Sequence, residues 1–569
     1  MQKKNWVYKN TSINKETLKQ LSSSMSPVIA TLLLNRDISD AESIGAYFKK
    51  PLSLIFPPSL LEGINDAADR IISAIENNEK IVIYGDYDVD GITSTVLLYK
   101  FLASQNADVS YYIPSRADEG YGINIVALNK IIKSGAQLLI TVDCGITAVG
   151  EIEFAKLQGL DVIITDHHNC QDKIPKAFSV INPKLPGSLY PFRDLAGVGV
   201  AFKLALGIAV KLKLDTNKIF SDYSELAAIG SIADLVPLTG ENRIITDRGI
   251  KSIREGTKFP GIRALLDVCG INESEINSDT ITFSIAPRLN AAGRLSCASV
   301  SVELLLSQDF EEAKKIAVSL DLENTQRRNT EQIIFEEALE IIENDPEFDK
   351  KKVIVLHKEN WHQGVIGIVA SRICEKFYRP TIMISTSNGM GKGSGRSTPA
   401  FNLFDGLRNT SELLTSFGGH SVAAGINIKA SDIELFSQHI NKYANTVLKD
   451  VDFIPTLKID CEIPTQVITK NNIKFLSNFE PFGIKNEAPI FSMCKVKIKS
   501  IYEIGAKKKH IRLTVSKNGT DFTCIGFSMG ELASSLNQGD VIDIAFGMTI
   551  NNYQNRELIQ LRLKDIKKL

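Results

Sequence analysis

Three aspartates at alternate positions, Asp86, Asp88 and Asp90, follow an apolar run that begins at Ile81, in the sequence IVIYGDYDVDGITS. The run is typical of a buried strand, and the glycine and hydroxyl residues after the aspartates indicate a turn that starts a helix. Three carboxylates this close raise one another's pKa values, and a bound divalent cation would relieve their repulsion. The stretch therefore predicts a metal site at the carboxyl end of a strand, against the plainer alternative of a polar β-turn-α loop.

The spacing D-x-D-x-D-G also opens a calcium-binding EF-hand loop, in which the sixth residue is glycine. Such a loop requires a bidentate glutamate at its twelfth position, which here is Leu97 inside an apolar segment. An EF-hand loop also follows a helix, whereas a strand is predicted before Asp86. The calcium-loop interpretation therefore fails, and a catalytic or structural metal site in an α/β domain remains.

Composition limits the broad class of the chain. Its 569 residues exceed what one hydrophobic core organises, and the usual domain size suggests roughly three or four domains. The 65 Lys and Arg residues balance 66 Asp and Glu residues, so a nucleic-acid-binding surface would have to be a local patch. The eight cysteines form no C-x-x-C pair or zinc-type cluster, which indicates reduced core residues. Without a signal-peptide core or a run of about 18 apolar residues, we expect a cytoplasmic enzyme with no membrane partner.

Four apolar runs that alternate with amphipathic helical segments predict a doubly wound parallel sheet. The ligands of such sheets bind beyond the carboxyl ends of the strands. The strands are expected at residues 81–85, 109–113, 138–142 and 162–165, with helices such as 123–133 and 147–157 between them.

Polar side chains follow these runs. Asp143 follows the third, His167 and His168 follow the fourth, and a loop that contains Arg116 follows the second. Each one alone could be a helix cap or part of a hydrogen-bonded loop, but together they place carboxylates and imidazoles at one edge of the sheet. Oxygen and nitrogen ligands without thiolates suit Mn²⁺ or Mg²⁺. A paired metal site at this edge is therefore predicted, with Arg116 as a nearby cation.

Changes of pattern along the chain predict its organisation. The expected fold is α/β, with a doubly wound parallel-sheet domain, a long helical connector, a second α/β domain and a C-terminal β-barrel of the OB type. Residues 301–344 within the connector are expected to form one long charged helix. The five segments are a helical lead-in at 1–55, the catalytic domain at 56–246, the helical segment at 247–349, the second α/β domain at 350–450 and the barrel at 451–569.

Several motifs resemble those of the DHH phosphoesterase superfamily. They are GDYDVDG at 85–91, VDCG at 142–145, TDHHN at 165–169 and GSIADLVPL at 230–238. The resemblance implies a DHH domain, a DHH-associated domain and two ions of Mn²⁺ or Mg²⁺, with Asp143 as the natural bridge between them. Ser231 stands where threonine is expected, a change that keeps the hydroxyl. The implied metal ligands are Asp86, Asp88, Asp143, His167 and Asp234.

The predicted catalytic set consists of Asp143, Asp90 and His168. Asp90 either joins the metal ligands or holds the turn and supports them from behind. His168 resembles the second histidine of the family motif, which is implied to contact the scissile phosphate or to protonate the leaving oxygen. Two ions about 3.5–4 Å apart can activate a water, neutralise phosphate oxygens and stabilise the leaving group, which are the needs of phosphodiester hydrolysis.

The resemblance is greatest to the branch of this superfamily made up of bacterial exonucleases specific for single-stranded DNA, and it extends over nearly the whole chain. It implies hydrolysis in the 5′→3′ direction, release of 5′-mononucleotides and a role in DNA repair and recombination. The further motifs are PSRADEGYG at 114–122, LAGVGVAFKLA at 195–205, PRLNAAGRL at 287–295, GKGSGRS at 391–397, FGGHSVAAG at 417–425 and EPFGIKNEAP at 480–489.

Candidate substrate contacts lie in these motifs or beside them. A tight Ala-Ala-Gly turn at 291–293 is expected to gather two arginines and an asparagine around a phosphate. The glycine-rich stretch at 391–397 is expected to present backbone N–H groups to an anion, and its serine and arginine resemble a pocket for the 5′ end. For the arginine at 372, a surface salt bridge is an adequate alternative. The candidates are Arg116, Arg288, Asn290, Arg294, Arg372, Ser394, Arg396, Gly418, Gly419 and His420.

The last segment has five or so short β-rich runs, which suggests an OB-fold. Its basic residues are expected to form a track for single-stranded DNA, aided by Tyr502, His510 and Phe522. A solvated face or a protected sheet edge is the alternative. The candidate contacts are Lys495, Lys497, Lys499, Lys507, Lys508, Lys509 and Arg512, of which the first three are expected to share one strand face.

Three functions remain to be separated. The leading one is a metal-dependent exonuclease of single-stranded DNA that acts as a monomer, with a single-strand-binding protein and a recombination-repair helicase as further candidate partners. The second is a phosphoesterase of short oligoribonucleotides, cyclic dinucleotides or pyrophosphate, against which the basic barrel argues. The third is a non-catalytic single-strand-binding or replication scaffold, against which the full ligand set argues.

Overall fold

The computed structural model describes residues 4–115, 119–120, 122–295, 297–553 and 556–569 of the chain. The chain forms two compact units. One consists of Met1–Lys49, Thr330–Glu480 and Ala488–Leu569, and the other consists of Lys50–Asn329 and Pro481–Glu487. Among the described residues we find no helical segment with the length and hydropathy that spanning a bilayer requires.

The described strands, numbered along the chain, are β1 Asn5–Tyr8, β2 Ile81–Gly85, β3 Val109–Tyr112, β4 Leu138–Val142, β5 Asp161–Thr165, β6 Ser179–Ile181, β7 Ile354–Glu359, β8 Thr381–Ser387, β9 Met390–Arg396, β10 Leu414–Gly419, β11 Ala423–Lys429, β12 Thr456–Ile459, β13 Cys461–Glu462, β14 Phe491–Ile504, β15 His510–Lys517, β16 Thr520–Gly526, β17 Val541–Tyr553 and β18 Arg556–Lys568.

The described α-helices are α1 Lys15–Leu21, α2 Pro27–Leu34, α3 Ala41–Lys49, α4 Ile64–Glu76, α5 Val89–Ser104, α6 Ile125–Lys133, α7 Val149–Leu157, α8 Gly197–Lys211, α9 Thr216–Ala233, α10 Gly240–Gly256, α11 Pro260–Val268, α12 Ser278–Thr280, α13 Ala286–Leu295, α14 Ser299–Leu306, α15 Phe310–Glu343, α16 Gln363–Phe377, α17 Leu403–Arg408, α18 Ile433–Val447 and α19 Lys470–Leu476.

The unit that contains residues 50–329 is built on a five-stranded parallel sheet. Its strand order is β3-β2-β4-β5-β6, and every neighbouring pair is parallel. All residues of β2 and β4 are buried, as expected for central strands that helices cover on both faces. One core cluster joins the sheet to α4, α5, α8 and α9, and another joins it to α6 and α7. The predicted doubly wound sheet is confirmed.

The boundaries of this sheet follow local signals. The four predicted strands agree with β2 to β5 within one residue at each end. Helix α6 begins two residues later than expected, because the Asn124 side chain accepts a hydrogen bond from the N–H of Ala127 and caps the helix. Strand β6 was not predicted, since three residues are too few to show a pattern.

The predicted connecting helix at 301–344 is two helices. α14 ends at Leu306 and α15 begins at Phe310. Between them, the Asp309 carboxylate accepts a hydrogen bond from the N–H of Glu312 at 2.9 Å. An aspartate three residues before a glutamate is a helix-start signal, and here it divides an otherwise continuous charged pattern.

The other unit contains a second sheet of five strands, in the order β10-β11-β9-β8-β7. Only β7 and β8 are parallel, and the other pairs are antiparallel. One core cluster packs α16 and the end of α15 on one face of the sheet. A second cluster packs α17 and α18 on the opposite face. The expected second α/β domain is therefore present.

The same unit contains a closed barrel of five strands. Their order is β14-β15-β16-β18-β17, and pairing of β14 with β17 closes the barrel. The strands are longer than the runs predicted from the sequence: β14 alone has 14 residues, with register shifts at 493/496 and 498/500. These bulges let one strand bend around the barrel. The predicted C-terminal β-barrel is confirmed.

The N-terminal segment adds a strand to the same unit. β1 pairs in parallel with β12, from Asn5 opposite Thr456 to Tyr8 opposite Ile459. Trp6 Nε1 donates a hydrogen bond to Asp565 at 2.7 Å, which ties β1 to the last strand of the barrel. The sequence did not predict this strand because its partner lies some 450 residues away. The five-segment division of the chain stays a prediction.

Candidate metal centre

The loop after β2 carries two of the predicted ligands and starts a helix. Asp86 follows β2 directly, and Asp88 caps α5, because its Oδ1 accepts hydrogen bonds from the N–H groups of Asp90 and Gly91 at 3.0 and 3.1 Å. A Cβ at Gly91 would lie 2.5 Å from the carbonyl oxygen of Asp86. Only glycine therefore lets the loop fold this tightly onto the first turn of α5.

Asp143 follows β4 in a left-handed backbone conformation, with a φ of 59°. Its N–H donates to the carbonyl oxygen of Thr165 at 3.0 Å, which holds the residue against β5. Gly197, the first residue of α8, faces its carboxylate, and a Cβ there would lie 2.6 Å from Asp143 Oδ1. The glycine thus leaves the space that this carboxylate occupies.

Asp166 precedes the two histidines and orients them. Its carboxylate accepts hydrogen bonds from the N–H groups of Ile146, His167 and His168. It also bonds Nδ1 of His168 at 2.7 Å, so Nε2 is the nitrogen of that ring directed away from Asp166. The His168 side chain is 35% exposed and that of His167 is 8% exposed. His168 can therefore reach a substrate, whereas His167 faces the interior.

His167 Nε2 lies among three carboxylates. It is 3.1 Å from Asp143 Oδ1, 3.6 Å from Asp234 Oδ2 and 3.8 Å from Asp90 Oδ2. Asp234 directly follows Ala233, the last residue of α9, at the helix end where the dipole disfavours negative charge. A cation beside Asp234 would offset this cost.

Asp90 is buried and bonds the beginning of α8. Its Oδ2 accepts a hydrogen bond from the N–H of Gly197 at 2.7 Å, and its Oδ1 accepts one from the N–H of Val198 at 2.8 Å. A carboxylate at a helix N-terminus is stabilised by the helix dipole. Because both of its oxygens hold α8, the geometry favours the supporting role for Asp90 over that of a metal ligand.

The predicted ligands meet at one place. Asp143 Oδ1 and His167 Nε2 are buried without a hydrogen-bond partner among the described residues, an arrangement that is costly unless a cation lies between them. The oxygen and nitrogen donors suit Mn²⁺ or Mg²⁺. Three groups have donor atoms within 4.8 Å of one another: Asp86, Asp88 and Asp143; Asp90, His167 and Asp234; and Asp143, His167 and His168.

Burial and mutual repulsion set the pKa values of this cluster without metal. Burial, followed by the charges of Asp90 and Asp88, raises the pKa of Asp143 well above its ordinary value. Burial and then Asp88 raise the pKa of Asp234 to about 7. Burial and then His168 lower the pKa of His167 to about 3, so this imidazole is neutral and able to bind a metal. The metal-free cluster therefore holds protons that a cation would displace.

Asp166 and His168 form an ion pair at neutral pH. Burial acts to lower the pKa of His168, but the hydrogen bond and charge of Asp166, together with the charges of Asp234 and Asp88, outweigh it and raise the pKa to about 9. Burial acts to raise the pKa of Asp166, and its bond to His168 outweighs that effect and lowers it. A protonated imidazole beside the metal ligands can bind an anionic oxygen or give it a proton.

The segment predicted as a tight turn at 291–293 is part of helix α13. A Cβ at Gly293 would lie 2.7 Å from the carbonyl oxygen of Tyr87, so glycine lets α13 pack against the metal-binding loop. Arg288 forms an ion pair with Asp321 at 2.8 Å rather than facing that loop. Asn290 and Arg294 are half-buried on either side of Gly293. Arg116 lies outside the described residues.

The stretch at 391–397, predicted to present backbone N–H groups to an anion, is mostly strand β9. It pairs with β8 on one side and β11 on the other, so its backbone N–H groups serve the sheet and not an anion. Its glycines face the core, where a Cβ at Gly393 would lie 2.7 Å from Ile426. On the opposite face, Arg396 Nη1 donates to Ser394 Oγ at 3.0 Å. The two side chains, without the backbone, remain the candidate contacts.

The other candidates of the second α/β domain lie at its surface. Gly418 and Gly419 end β10, and His420 begins the turn to β11; all three are exposed. Arg372 on α16 forms an ion pair with Glu331 at 2.9 Å, and its guanidinium lies 3.9 Å from the centre of the Phe335 ring. The alternative explanation of Arg372, a surface salt bridge, therefore accounts for its contacts.

The basic residues of the barrel are exposed but differ in their partners. Lys499 pairs with Asp521 at 2.7 Å, and Lys508 pairs with Glu503 at 3.0 Å. Lys495, Lys497, Lys507, Lys509 and Arg512 are exposed without an ion pair to a described carboxylate. Acids from neighbouring strands therefore neutralise part of the predicted basic track.

Two contributions to the site were not predicted: Asp166 as the residue that orients His168, and the N-terminus of α8. Asp166 follows β5 as Asp143 follows β4, a signal available in the sequence. The bond from Gly197 to Asp90 spans 107 residues, and local pattern contains no sign of it.

Comparison with known proteins relates these parts to families. Residues 80–231 match the DHH family N-terminal domain, residues 350–446 the DHHA1 domain and residues 459–565 the RecJ OB domain. The single-stranded-DNA-specific exonuclease RecJ of Bacillus subtilis is 40% identical over 543 residues, which are 95% of this chain and 68% of that protein.

Solved structures of RecJ are similar to this chain over nearly its whole length. RecJ of Thermus thermophilus in complex with Mn²⁺ has a TM-score of 0.85 at 27% identity, and the match covers 99% of this chain and 80% of that one. Its complex with Mg²⁺ has a TM-score of 0.79 at 26% identity, over 99% and 78% of the two chains. The chain therefore belongs to the RecJ family.

Proposed function

We propose that this chain is a metal-dependent exonuclease that hydrolyses single-stranded DNA from its 5′ end and releases 5′-mononucleotides. The observation that carries the proposal is the cluster of carboxylates around His167, in which Asp143 Oδ1 and His167 Nε2 are buried without a hydrogen-bond partner among the described residues. Membership of a family whose curated relatives are single-stranded-DNA-specific exonucleases supports the substrate class.

The ligand set supports two ions of Mn²⁺ or Mg²⁺. Asp86 and Asp88 would hold one ion and His167 and Asp234 the other. Asp143 would hold both, because it shares one donor group with Asp86 and Asp88 and another with His167. When bound, the ions would activate the attacking water and neutralise charge on the scissile phosphate. The RecJ complexes with Mn²⁺ and Mg²⁺ support the choice of metal.

The remaining residues of the site would position the metal ligands or give a proton to the substrate. Asp166 holds Nδ1 of His168, so Nε2 of that ring is the atom that would meet the phosphate or the leaving oxygen. Such proton transfer contributes roughly 10²–10⁴-fold to rate. Asp90 holds α8 behind the ligands and keeps Gly197 against Asp143.

The direction of attack and the biological setting belong to the same proposal. The Ser394 and Arg396 pair would hold the 5′ end, and the exposed lysines of the barrel would hold the strand. We place the enzyme in DNA repair and recombination in the cytoplasm as a monomer, with a single-strand-binding protein and a helicase as partners. Its free cysteines fit a reducing compartment.

The test uses single-stranded oligonucleotides labelled at either end, with Mn²⁺, Mg²⁺ or EDTA, and Asp143→Asn as the control variant. With metal, the 5′ label should leave at once as a mononucleotide, while strands labelled at the 3′ end shorten progressively. Release of the 3′ label first would contradict the direction. Turnover of dinucleotides but not of long strands would favour the small-substrate phosphoesterase, and binding without release would favour the scaffold.

A further inference from the structure

Two cationic residues outside the predicted set lie in the segment that follows the last strand of the parallel sheet. Lys184 and Arg193 belong to the connection between β6 and α8. Lys184 is half-buried and Arg193 is exposed. Within the described part of the chain, neither forms an ion pair with a carboxylate. Cations placed beside acidic metal ligands, yet not paired with an acid, are available to an anionic ligand.

Asn182 attaches this connection to the histidine pair. Its Nδ2 donates to the carbonyl oxygen of His168 at 2.9 Å, and its Oδ1 accepts a hydrogen bond from the N–H of Lys184 at 2.8 Å. Asn182 is fully buried, so both bonds lie in a rigid environment. The backbone of Lys184 is therefore linked to that of His168 through one side chain.

Arg193 is held at the same place. Its Nη2 donates to the carbonyl oxygen of Lys184 at 3.1 Å, which brings the guanidinium beside the lysine backbone. Cys170 lies two residues after His168 in the sequence. Its Sγ donates a hydrogen bond to the same carbonyl oxygen of Lys184 at 3.6 Å. The backbone of Lys184 and the guanidinium of Arg193 thus lie next to the loop that carries His167 and His168.

Lys184 lies at the edge of the sheet that carries the metal ligands. It comes three residues after the end of β6, which pairs in parallel with β5, and β5 leads directly into Asp166, His167 and His168. The carboxyl ends of parallel strands meet at one edge of a sheet, so Lys184 and the two histidines leave the sheet at the same edge. A phosphate bound at this edge would meet the lysine on one side and the metal ligands on the other.

We propose that Lys184 and Arg193 bind the phosphate next to the scissile one on the substrate strand. The inference rests on the proposed function and adds a subsite to it. The metal ions would neutralise only the scissile phosphate, so its neighbour needs cations of its own. A lysine supplies a compact charge and an arginine a planar fork of donors, both of which suit a phosphodiester.

The test is equilibrium binding of a labelled oligothymidylate in EDTA, where no hydrolysis occurs, at several salt concentrations. Lys184→Ala and Arg193→Ala should each weaken binding about tenfold. Each should also reduce the slope of log affinity against log salt, and the double variant should reduce it by about 0.7, the value for one phosphate contact on a single strand. Lys184→Arg should restore both quantities.

Lys173→Ala is the matched control, since it removes an exposed lysine from the same part of the chain. Its affinity should stay within about twofold of the unchanged protein, which is the scale of a distant surface charge. Equal effects of Lys184→Ala and Lys173→Ala on affinity and slope would overturn the proposal. So would a Lys184→Ala variant that binds Mn²⁺ more tightly with an unchanged slope, because Lys184 would then only balance the charge of the cluster.

A hydrolysis assay of the unchanged protein with Mn²⁺ separates this proposal from the proposed function. If the unchanged protein releases nucleotides and the Lys184 and Arg193 variants bind normally, the exonuclease proposal stands and the subsite proposal is wrong. If the unchanged protein releases no nucleotides and the variants show the expected slope changes, the exonuclease proposal is wrong and the subsite proposal stands. Thermal unfolding of each variant shows that it is folded, and Arg193, being exposed, provides a second variant if the lysine substitution unfolds the protein.

Discussion

The carboxylate of Asp90 accepts a hydrogen bond from the backbone N–H of Gly197 at 2.7 Å, and this bond connects the metal-binding loop to the start of helix α8. The same glycine leaves room for Asp143, because a Cβ there would lie 2.6 Å from Asp143 Oδ1. One residue of α8 thus contacts both a predicted ligand and the carboxylate behind it. The position of α8 and the geometry of the cluster are therefore coupled.

Asp90→Ala should lower the free energy of unfolding of the metal-free protein by about 2 kcal/mol, because two buried N–H groups at the start of α8 lose their acceptor. It should also weaken Mn²⁺ binding, since Gly197 is no longer held against Asp143. Urea denaturation and titration with Mn²⁺ measure the two effects. Asp86→Ala is the control: it should lose Mn²⁺ binding without loss of stability. Equal stability of the Asp90 and Asp86 variants would contradict the supporting role of Asp90.

His168→Ala should reduce turnover by roughly 10²–10⁴-fold, as expected for the loss of a general acid, and should change Mn²⁺ affinity far less. Asp166→Asn should reduce turnover in the same direction, because the amide binds the imidazolium less strongly than the carboxylate does. Single-turnover kinetics at saturating Mn²⁺ measures both variants. Parallel losses of turnover and metal affinity in His168→Ala would instead make His168 a ligand.

Mn²⁺ binding should release protons and strengthen as the pH rises toward about 7, because the pKa of Asp234 is raised to about 7 and that of Asp143 is also raised. The folded metal-free protein binds these protons more tightly than the unfolded chain, where an aspartate has a pKa of about 3.9. Its stability should therefore fall as the pH rises from about 4 to about 7.

Calorimetric titration of Mn²⁺ in buffers of different ionisation enthalpy counts the released protons, and urea denaturation at several pH values measures the stability. Excess Mn²⁺ should remove most of the decline in stability with pH. Binding that releases no protons would show that these carboxylates are ionised before the metal arrives.

Lys507→Ala combined with Lys509→Ala should reduce the salt slope of long-strand binding by about 1.4, or about 0.7 for each lost phosphate contact. Lys499→Ala should have a smaller effect, since Asp521 already neutralises that lysine at 2.7 Å. Fluorescence anisotropy with long and very short strands measures the difference, and the short strands should be unaffected. Equal slopes for all variants would exclude the lysine loop between β14 and β15 as a strand contact.

Point substitutions are the suitable test of the barrel. Removal of residues after about 455 would also remove β12, the pairing partner of β1, and Asp565, the acceptor for Trp6. Weak strand binding by such a truncation would therefore combine damage to the N-terminal segment with loss of the lysines.

The parts of the fold that could be predicted have local signals. Strands β2, β4 and β5 are apolar runs that end in polar residues, and their carboxyl ends meet because the strands are parallel. The gathering of Asp86, Asp143 and His167 followed from that rule alone. The roles of Asp90 and Asp166 did not, since each depends on a hydrogen bond that only the folded chain displays.

The predictions that the structure corrects fall mainly at glycines. The glycines at 391–395 were expected to present backbone N–H groups to an anion, yet they lie in strand β9, where side chains of neighbouring elements occupy the space that a Cβ would need. Gly293 indicated a turn, yet it lies in a helix that packs closely on the carbonyl of Tyr87. In both cases glycine serves close packing rather than backbone flexibility, and the sequence contains no sign of the neighbour.

The stoichiometry of Mn²⁺ binding shows whether dispersed carboxylates and one imidazole hold a pair of divalent ions. Electron paramagnetic resonance of free Mn²⁺ during titration should show two ions bound per chain, and Asp143→Ala should lose both because Asp143 belongs to two of the three donor groups. Hydrolysis should disappear with them while the thermal unfolding transition remains. An Asp143→Ala variant that binds two Mn²⁺ ions with unchanged affinity would show that Asp143 bridges no metal pair.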